Sequence, residues 1–446
     1  MTPGREGDGS AARTGRPMDP IAELFRREHA GMKFGLDSIR ALCEALGHPE
    51  RACPTVIVAG TNGKGSVTAM AAAALSAAGH RTARYTSPHL THLEERFAVD
   101  GIPVAGARVA RGAATVLEVE RHLLDRGALA APVTFFELTT AIGFHLFREA
   151  AADVAVLEVG LGGRFDATNV AQPLAGAITT IDLEHTRYLG STIPEIAFEK
   201  AGIIKPAMRV VAGERKPEAL TVFRRVCEER GATLVPAFDG VRADVRLHDG
   251  RTQVRLATPV HDYGQLALAL RGRHQADNAV VAARLLEALD VLGLHAPPQA
   301  IRHGLATVTW PGRLEAMHDA RGRTVLLDAA HNPAGIQALV AYLVEVHPGR
   351  VPVVFGAMRD KDAADMLRRL APCATRLVVT QPSNPRAYAA PDLARLAGAL
   401  GLPAPVEGEA DPLRAIDRAL GDAELAVVTG SLFLVGDVRP HLTPAP

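Results

Sequence analysis

A five-residue run rich in β-branched side chains, Thr55–Ala59, leads directly into Gly60-Thr-Asn-Gly-Lys-Gly-Ser66, and an Ala-rich stretch, Val67–Ala78, follows before Gly79. A strand that delivers a glycine-rich turn to the start of a helix is the setting in which backbone N–H groups converge on an anion. Glycine lets the chain fold back, and the helix N-terminus adds partial positive charge. Gly60, Thr61, Asn62, Gly63, Lys64, Gly65 and Ser66 form the predicted phosphate cradle, with Lys64 reaching the β/γ oxygens and Ser66 placed for Mg²⁺. The spacing is one residue off GxxxxGK[ST], because Gly65 separates Lys64 from Ser66. A glycine-rich turn with an incidental lysine is the bland alternative, and composition weakens it. Only six of the 49 basic residues are lysines (Lys33, Lys64, Lys200, Lys205, Lys216 and Lys361), so arginine serves wherever a surface cation suffices.

Around this motif the chain alternates short apolar runs with Ala/Leu-rich helical segments, the pattern of βαβ units and a mainly parallel sheet. Predicted strands are Thr55–Ala59, Thr82–Thr86, Val154–Glu158 and Ala177–Ile181, and Leu234 to Leu270 reads as a small antiparallel β element. After Trp310-Pro-Gly-Arg313 the alternation restarts, with strands at Thr324–Asp328, Val351–Phe355, Arg376–Thr380 and Leu425–Thr429 and helices from Pro333, Lys361 and Pro391. The expected class is α/β. Residues 1–17 read as a flexible tail, 18–307 as a phosphate-loop ATPase domain, and 308–446 as a Rossmann-like domain, with a ligand cleft beyond the strand ends. Acidic and basic residues cancel at 49 each, which argues against a nucleic-acid partner. No apolar run reaches membrane-spanning length. Four scattered cysteines, none in a CxxC pair, suit a reducing cytoplasm.

Glu158 closes an apolar strand and precedes Val-Gly-Leu-Gly-Gly163, a natural Mg²⁺ carboxylate beside a phosphate chain. Lys200 interrupts the apolar stripe of Ile193, Ile196, Ala197, Ile203 and Ile204 within Thr192–Lys205. Two readings of it stand side by side: a snorkelling lysine, or a buried amine that loses its proton and takes up CO₂ as a carbamate. Asn278, in Arg273-His-Gln-Ala-Asp-Asn278 before a long helical stretch, could be a simple cap. Arg313 sits between the two units, where a guanidinium can stabilise a transferring phosphoryl group. Asp328 and His331 lie at a strand–loop–helix junction facing the expected cleft.

The run Gly60–Ser66, followed by Thr86-Ser-Pro-His-Leu90 and Glu95-Arg96, resembles the folylpolyglutamate synthase and dihydrofolate synthase family, relatives of the Mur peptidoglycan ligases, with further matches from Phe34 to Gly436. The resemblance implies an ATP-dependent amide ligase using two Mg²⁺ ions. Its metal residues would be Ser66, Ser87, Glu158, His185 and a carbamylated Lys200, with Asn278 and Asp328 on ATP and His331 near the ligation site. It also implies L-glutamate as the amine and a pterin-bearing acid, dihydropteroate or a tetrahydrofolate, as the acceptor, in a monomeric enzyme. Thr134, Phe135, Phe136 and Glu137, with Phe165, Asp166 and Ala167, match positions associated with dihydropteroate, as does Met32-Lys-Phe34. Phe135 and Phe136 also open a helix with Leu138 and Ile142, so core packing is the competing reading. Bifunctional synthesis is the expectation. Folylpolyglutamate synthesis alone, or another Mur-type ligase with a different acceptor, is the alternative. Asp362 reads as a helix cap, and Arg386 and Ser431 fall in matching blocks without an assigned role.

Overall fold

The computed structural model describes residues 19–28 and 35–445. The expected tail and the Met32-Lys-Phe34 segment lie outside the described residues. Strands are β1 (Thr55–Ala59), β2 (Thr82–Tyr85), β3 (Phe97–Val99), β4 (Ile102–Pro103), β5 (Val154–Glu158), β6 (Pro173–Ile178), β7 (Arg209–Ala212) and β8 (Thr233–Pro236). They form one sheet in the order β4-β3-β2-β5-β1-β6-β7-β8, parallel from β2 to β8 with an antiparallel edge at β3 and β4. All five residues of β1 are buried, and they alternate between two cores. Ile57 and Ala59 face one, Val56 and Val58 the other, as a central strand covered by helices on both faces requires.

A three-stranded antiparallel meander follows: β9 (Arg242–His248), β10 (Arg251–Ala257) and β11 (Asp262–Leu268). The antiparallel reading from Leu234 onward is corrected at its start, because β8 pairs in parallel with β7. The meander begins only after the turn at Asp239-Gly240. The predicted strand Ala177–Ile181 is also displaced. Pairing ends at Ile178, and Thr179 and Thr180 leave the sheet to bond with the glycine loop, while Ile181 N–H donates to Glu214.

The second sheet comprises β12 (Glu315–His318), β13 (Thr324–Leu327), β14 (Val351–Phe355), β15 (Ala374–Val379), β16 (Val406–Gly408), β17 (Leu425–Thr429) and β18 (Thr443–Pro444), ordered β16-β15-β14-β17-β13-β12-β18. Its interior is parallel, and β12 runs antiparallel to β13 and β18. Helices Pro333–Val346, Ala363–Leu370 and Ala390–Ala399 occupy the predicted places. Asp362 caps the second of them by accepting from Asp365 N–H at 2.9 Å. No described helix is long and apolar enough to cross a membrane.

Candidate active site

The carboxyl ends of β1, β5 and β6 meet at the glycine loop. β1 releases the chain at Ala59, and helix Lys64–Ala77 starts on Gly63, whose φ of +89° suits glycine. A Cβ there would lie 2.4 Å from Asn278 Oδ1. Gly65 is equally constrained by approach, since a Cβ would stand 2.6 Å from the ring of Trp310. The loop is held from β6: Thr61 N–H donates to Thr180 O at 2.6 Å, and Thr179 Oγ1 donates to Asn62 O at 2.7 Å. Lys64 Nζ donates to the carbonyls of Gly60 and Thr61, both at 3.0 Å, which places the amine against the loop it was expected to serve. Ser66 is buried in the first turn of the helix.

Lys200 arrives at the same loop from helix Ile193–Ala201, capped by Thr192. It is 5% exposed, and its Nζ donates to Gly60 O at 2.8 Å. That position removes the snorkelling reading, because the head group is buried with its stem. Burial, reinforced by the Lys64 charge, pushes its pKa down to about 7, so a neutral amine is accessible near neutral pH.

Glu158 is buried at the end of β5. Burial raises its pKa, and Lys64, the Ser87 N–H, Arg313 and Arg84 act in the opposite direction. Its Oε2 accepts from Ser87 N–H at 3.1 Å. The Ser87 hydroxyl oxygen is buried with no hydrogen-bond partner. A hydroxyl left unpaired beside a buried carboxylate is the donor arrangement of a hard-cation site, because Mg²⁺ takes oxygen ligands and shares its shell with phosphate. His185, in the left-handed region at φ +52°, has its pKa pushed down to about 4 by burial and then by Lys361, which leaves the imidazole neutral as a ligand must be. Among the described residues no group of three or more His, Cys, Asp or Glu side chains converges on a point. Mg²⁺ would therefore have to be shared with phosphate oxygens, which it accepts readily.

The second sheet brings its own groups to this edge. Asn332 Nδ2 donates to Asn62 Oδ1 at 2.9 Å, so the glycine loop is bonded directly to the other unit. Asp328 is buried, with its oxygens accepting from Leu314 and Ala330 N–H at 3.0 Å each. Burial raises its pKa while Arg313 opposes the shift. Arg313 thus acts electrostatically on both Glu158 and Asp328. His331 faces two oxygens, Ala329 O at 3.0 Å and Glu184 Oε1 at 3.3 Å.

Glu184 was passed over in the sequence. It is nearly buried, and Lys361 Nζ lies 2.9 Å from its Oε1. Burial acts to raise its pKa, yet His331, Lys361 and His185 together hold the carboxyl well below the usual range. The available signal was the rarity of lysine. All five described lysines have internal oxygen partners. Trp310 and Arg84 were missed as well. The Arg84 guanidinium lies 5.0 Å from the Trp310 ring, and burial lowers its pKa to about 10.

The start of the helix that holds Asn278 requires a correction. The helix begins at Arg273, not after Asn278, so a capping role is excluded. Asn278 is buried one and a half turns in, beside Gly63, with Nδ2 donating to Gln275 Oε1 at 3.0 Å. Ser431 is a helix cap, accepting from Phe433 N–H at 3.1 Å, and Arg386 is exposed.

The residues matched to the acceptor divide. Thr134 and Glu137 form a capping box for helix Phe135–Glu149. Phe135 is buried beneath Arg96, whose guanidinium lies 5.2 Å from the ring centre, and Phe136 packs on Gly160. Asp166 accepts from the N–H groups of Gly160, Leu161 and Thr168, pinning the loop after Glu158. Ala167 is buried next to it. Phe165 is 40% exposed under Arg164.

Two family models match the chain: the Mur ligase middle domain over residues 58–286 and the Mur ligase glutamate ligase domain over 312–432. Dihydrofolate synthase/folylpolyglutamate synthase of Bacillus subtilis is 36% identical over 95% of this chain and 98% of its own length. Mycobacterium tuberculosis folylpolyglutamate synthase, solved with ADP and AMPPCP, superposes with a TM-score of 0.86 at 36% identity, covering 95% of this chain and 98% of that one. Escherichia coli FolC, solved with DHPP and ADP, gives 0.82 at 30% identity over 95% and 97%. With its glycine loop clasped between two α/β units that match along nearly their whole length, the chain belongs to the dihydrofolate synthase/folylpolyglutamate synthase family of Mur ligases.

Proposed function

We propose that this protein is an ATP-dependent ligase that joins L-glutamate to dihydropteroate, giving dihydrofolate, and to reduced folates, giving folylpolyglutamates. The observation that carries the reading is the position of the glycine loop. One of its sides faces buried Glu158 and the unpaired Ser87 hydroxyl, and the other is bonded to Asn332, next to His331. Such a site can hold a triphosphate and an acid together while water is kept out.

In the proposed reaction the acid's carboxylate attacks the γ-phosphorus of ATP, ADP leaves, and an acyl phosphate forms. The glutamate amine then attacks the acyl carbon, the amide bond forms, and phosphate departs with loss of the amine proton. Loop N–H groups and Lys64 orient the phosphates, with Asn278 against Gly63 and Asp328 beside Arg313 completing the nucleotide's surroundings. Arg313 offsets charge as the phosphoryl group moves. His331, held by Ala329 and Glu184, stands at the entry of the second unit. When bound, Mg²⁺ neutralises the phosphate chain. Ser66, Ser87, Glu158, His185 and a carbamylated Lys200 would hold two such ions. Carbamylation needs only the neutral amine: its nitrogen bonds to the carbon of CO₂ and a proton is released.

Phe136 and Phe165 supply aromatic surface for the acceptor near the loop that Asp166 pins, while Phe135 is buried in the core, the competing reading, at the start of the helix that Thr134 and Glu137 cap and beside buried Ala167. The free cysteines Cys43, Cys53, Cys227 and Cys373 support a reducing cytoplasm as the location. The division near residue 307 places each sheet in its own unit, acting within a monomer. ADP release with L-glutamate and either dihydropteroate or tetrahydrofolate, with the product weighed by mass spectrometry, tests the reading. The expected result is one ADP per glutamyl addition on both acids. Turnover on tetrahydrofolate alone would restrict the activity to chain extension, and MgATP binding with no amide product on either acid would overturn it.

A further inference from the structure

The two units touch through several polar contacts. Arg273 pairs with Glu345 through two bonds of 2.7 Å, the Tyr342 hydroxyl donates to Gly250 O at 3.0 Å, and Lys361 meets Glu184. None of these engages the glycine loop. Asn332 does, and it stands directly after His331 as the cap of helix Pro333–Val346. Its buried side chain has two tasks. Oδ1 caps the helix by accepting from Gly335 N–H at 2.8 Å, which leaves Nδ2 to donate to Asn62 Oδ1 at 2.9 Å. A backbone N–H can only donate, so the Asn332 amide is held in one orientation.

The same constraint continues into the first unit. With its Oδ1 taken by Asn332, Asn62 turns Nδ2 to Asp182 Oδ2 at 3.4 Å, and Asp182 Oδ1 accepts from Lys216 Nζ at 3.0 Å. Asp182 is tied to the loop by its backbone as well, its N–H donating to Thr61 Oγ1 at 3.1 Å. The result is a polarised line, Asn332 to Asn62 to Asp182. A backbone donor fixes its sense at one end and a carboxylate, which only accepts, fixes it at the other. It runs from the residue beside His331 into the loop that holds Lys64.

We propose that Asn332 is a positioning residue for the ligation step: its bond to Asn62 holds His331 and the second unit's side of the cleft against the loop that carries the phosphates. The proposal rests on the ligase reading above. An acyl phosphate gives amide only where the amine is in place and water is kept out. With the bond broken the helix keeps its cap and the loop keeps its nucleotide contacts, but water competes for the acyl carbon. Water then attacks that carbon, phosphate leaves, a proton is released and the acid is regenerated, so ATP is consumed with no amide formed.

The test is the number of ADP molecules released per amide formed, a ratio that a merely destabilised enzyme leaves at one because both products fall together. Asn332→Asp keeps the cap but sets an acceptor against Asn62 Oδ1, and if Asn62 turns its amide over the mismatch moves to Asp182. Asn332→Ser keeps the cap without added charge and falls short of Asn62. Wild type should give a ratio of one and both variants roughly two or more, since loss of one hydrogen bond shifts a two-state balance about five-fold. Asn332→Asp combined with Asp182→Asn reverses the whole line: Lys216 donates to the new amide oxygen, that amide donates to Asn62, and Asn62 donates to the new carboxylate. This double variant should return to one. A ratio of one in both single variants, or a double variant no better coupled than Asn332→Asp, refutes the positioning role while the ligase reading stands. Wild type that releases ADP without amide refutes the ligase reading, and the positioning role with it.

Discussion

Replacing Ser87 with alanine should move stability and activity in opposite directions. The Ser87 hydroxyl is buried and unpaired, whereas its backbone N–H donates to Glu158, a bond that alanine retains. A buried hydroxyl without a partner costs about 1–3 kcal/mol, and alanine removes that cost while leaving almost no cavity. Taking the lower figure, the nucleotide-free variant should melt roughly 2–4 °C higher than wild type for a unit of this size. Activity should fall, because the oxygen that completes the proposed metal site is gone. The apparent affinity for Mg²⁺ in ADP release should weaken by at least the roughly 10–100-fold that loss of even an outer-sphere partner costs. Thermal melts without nucleotide and a magnesium titration of ADP release measure the two quantities separately. A variant that melts lower and keeps the wild-type magnesium dependence would refute the reasoning, since the hydroxyl would then be a structural hydrogen-bonding group.

Lys200→Ala should lower kcat by roughly 100-fold or more while nucleotide affinity stays within a few-fold, and unchanged turnover would remove Lys200 from the metal site. Glu184→Gln should destabilise the protein by about 1–3 kcal/mol, because Lys361 and His331 lose a shared charge partner. Combined with Lys361→Met the effect should be less than additive, and strict additivity in a double-mutant cycle would argue that the pair is uncoupled. Burial, followed by neighbouring Arg96 and Arg313 respectively, pushes the pKa values of His89 and His274 down to about 4. Between pH 6.5 and 4 the unfolded chain therefore binds more protons than the native one. Stability should fall as pH drops through that window, by at most about 3 kcal/mol for each residue. His274→Asn should flatten the acid limb of the melting profile, and an unaltered limb would show that His274 does not contribute.

What the sequence discloses tracks how local each determinant is. The strand, glycine loop and helix around Lys64 were legible because everything that forms them lies within about twenty residues: β-branched residues, then glycines, then alanines. Lys200 was legible for a similar reason, as a charge in the apolar stripe of its own helix, although only the fold shows that its head group reaches the Gly60 carbonyl. The start of the helix that holds Asn278 was placed too late because its cap is Gly272, which has no side chain to mark the boundary, and this removes capping as the alternative to the ATP contact that the resemblance implies for Asn278. The short strands β12, β16 and β18, at or next to the edges of the second sheet, were missed since two to four residues carry too little periodicity to stand out. Glu184 shows the limit most clearly. Its neighbours in sequence form a polar loop with no period, and its partners His331 and Lys361 lie 147 and 177 positions away on the other sheet. A carboxylate in such a loop is ordinarily solvated. It becomes a nearly buried junction only when the carboxyl ends of the strands of the two sheets are brought together, so its role resides in the assembly of the cleft, and the rarity of lysine at position 361 is the only trace it leaves in the sequence.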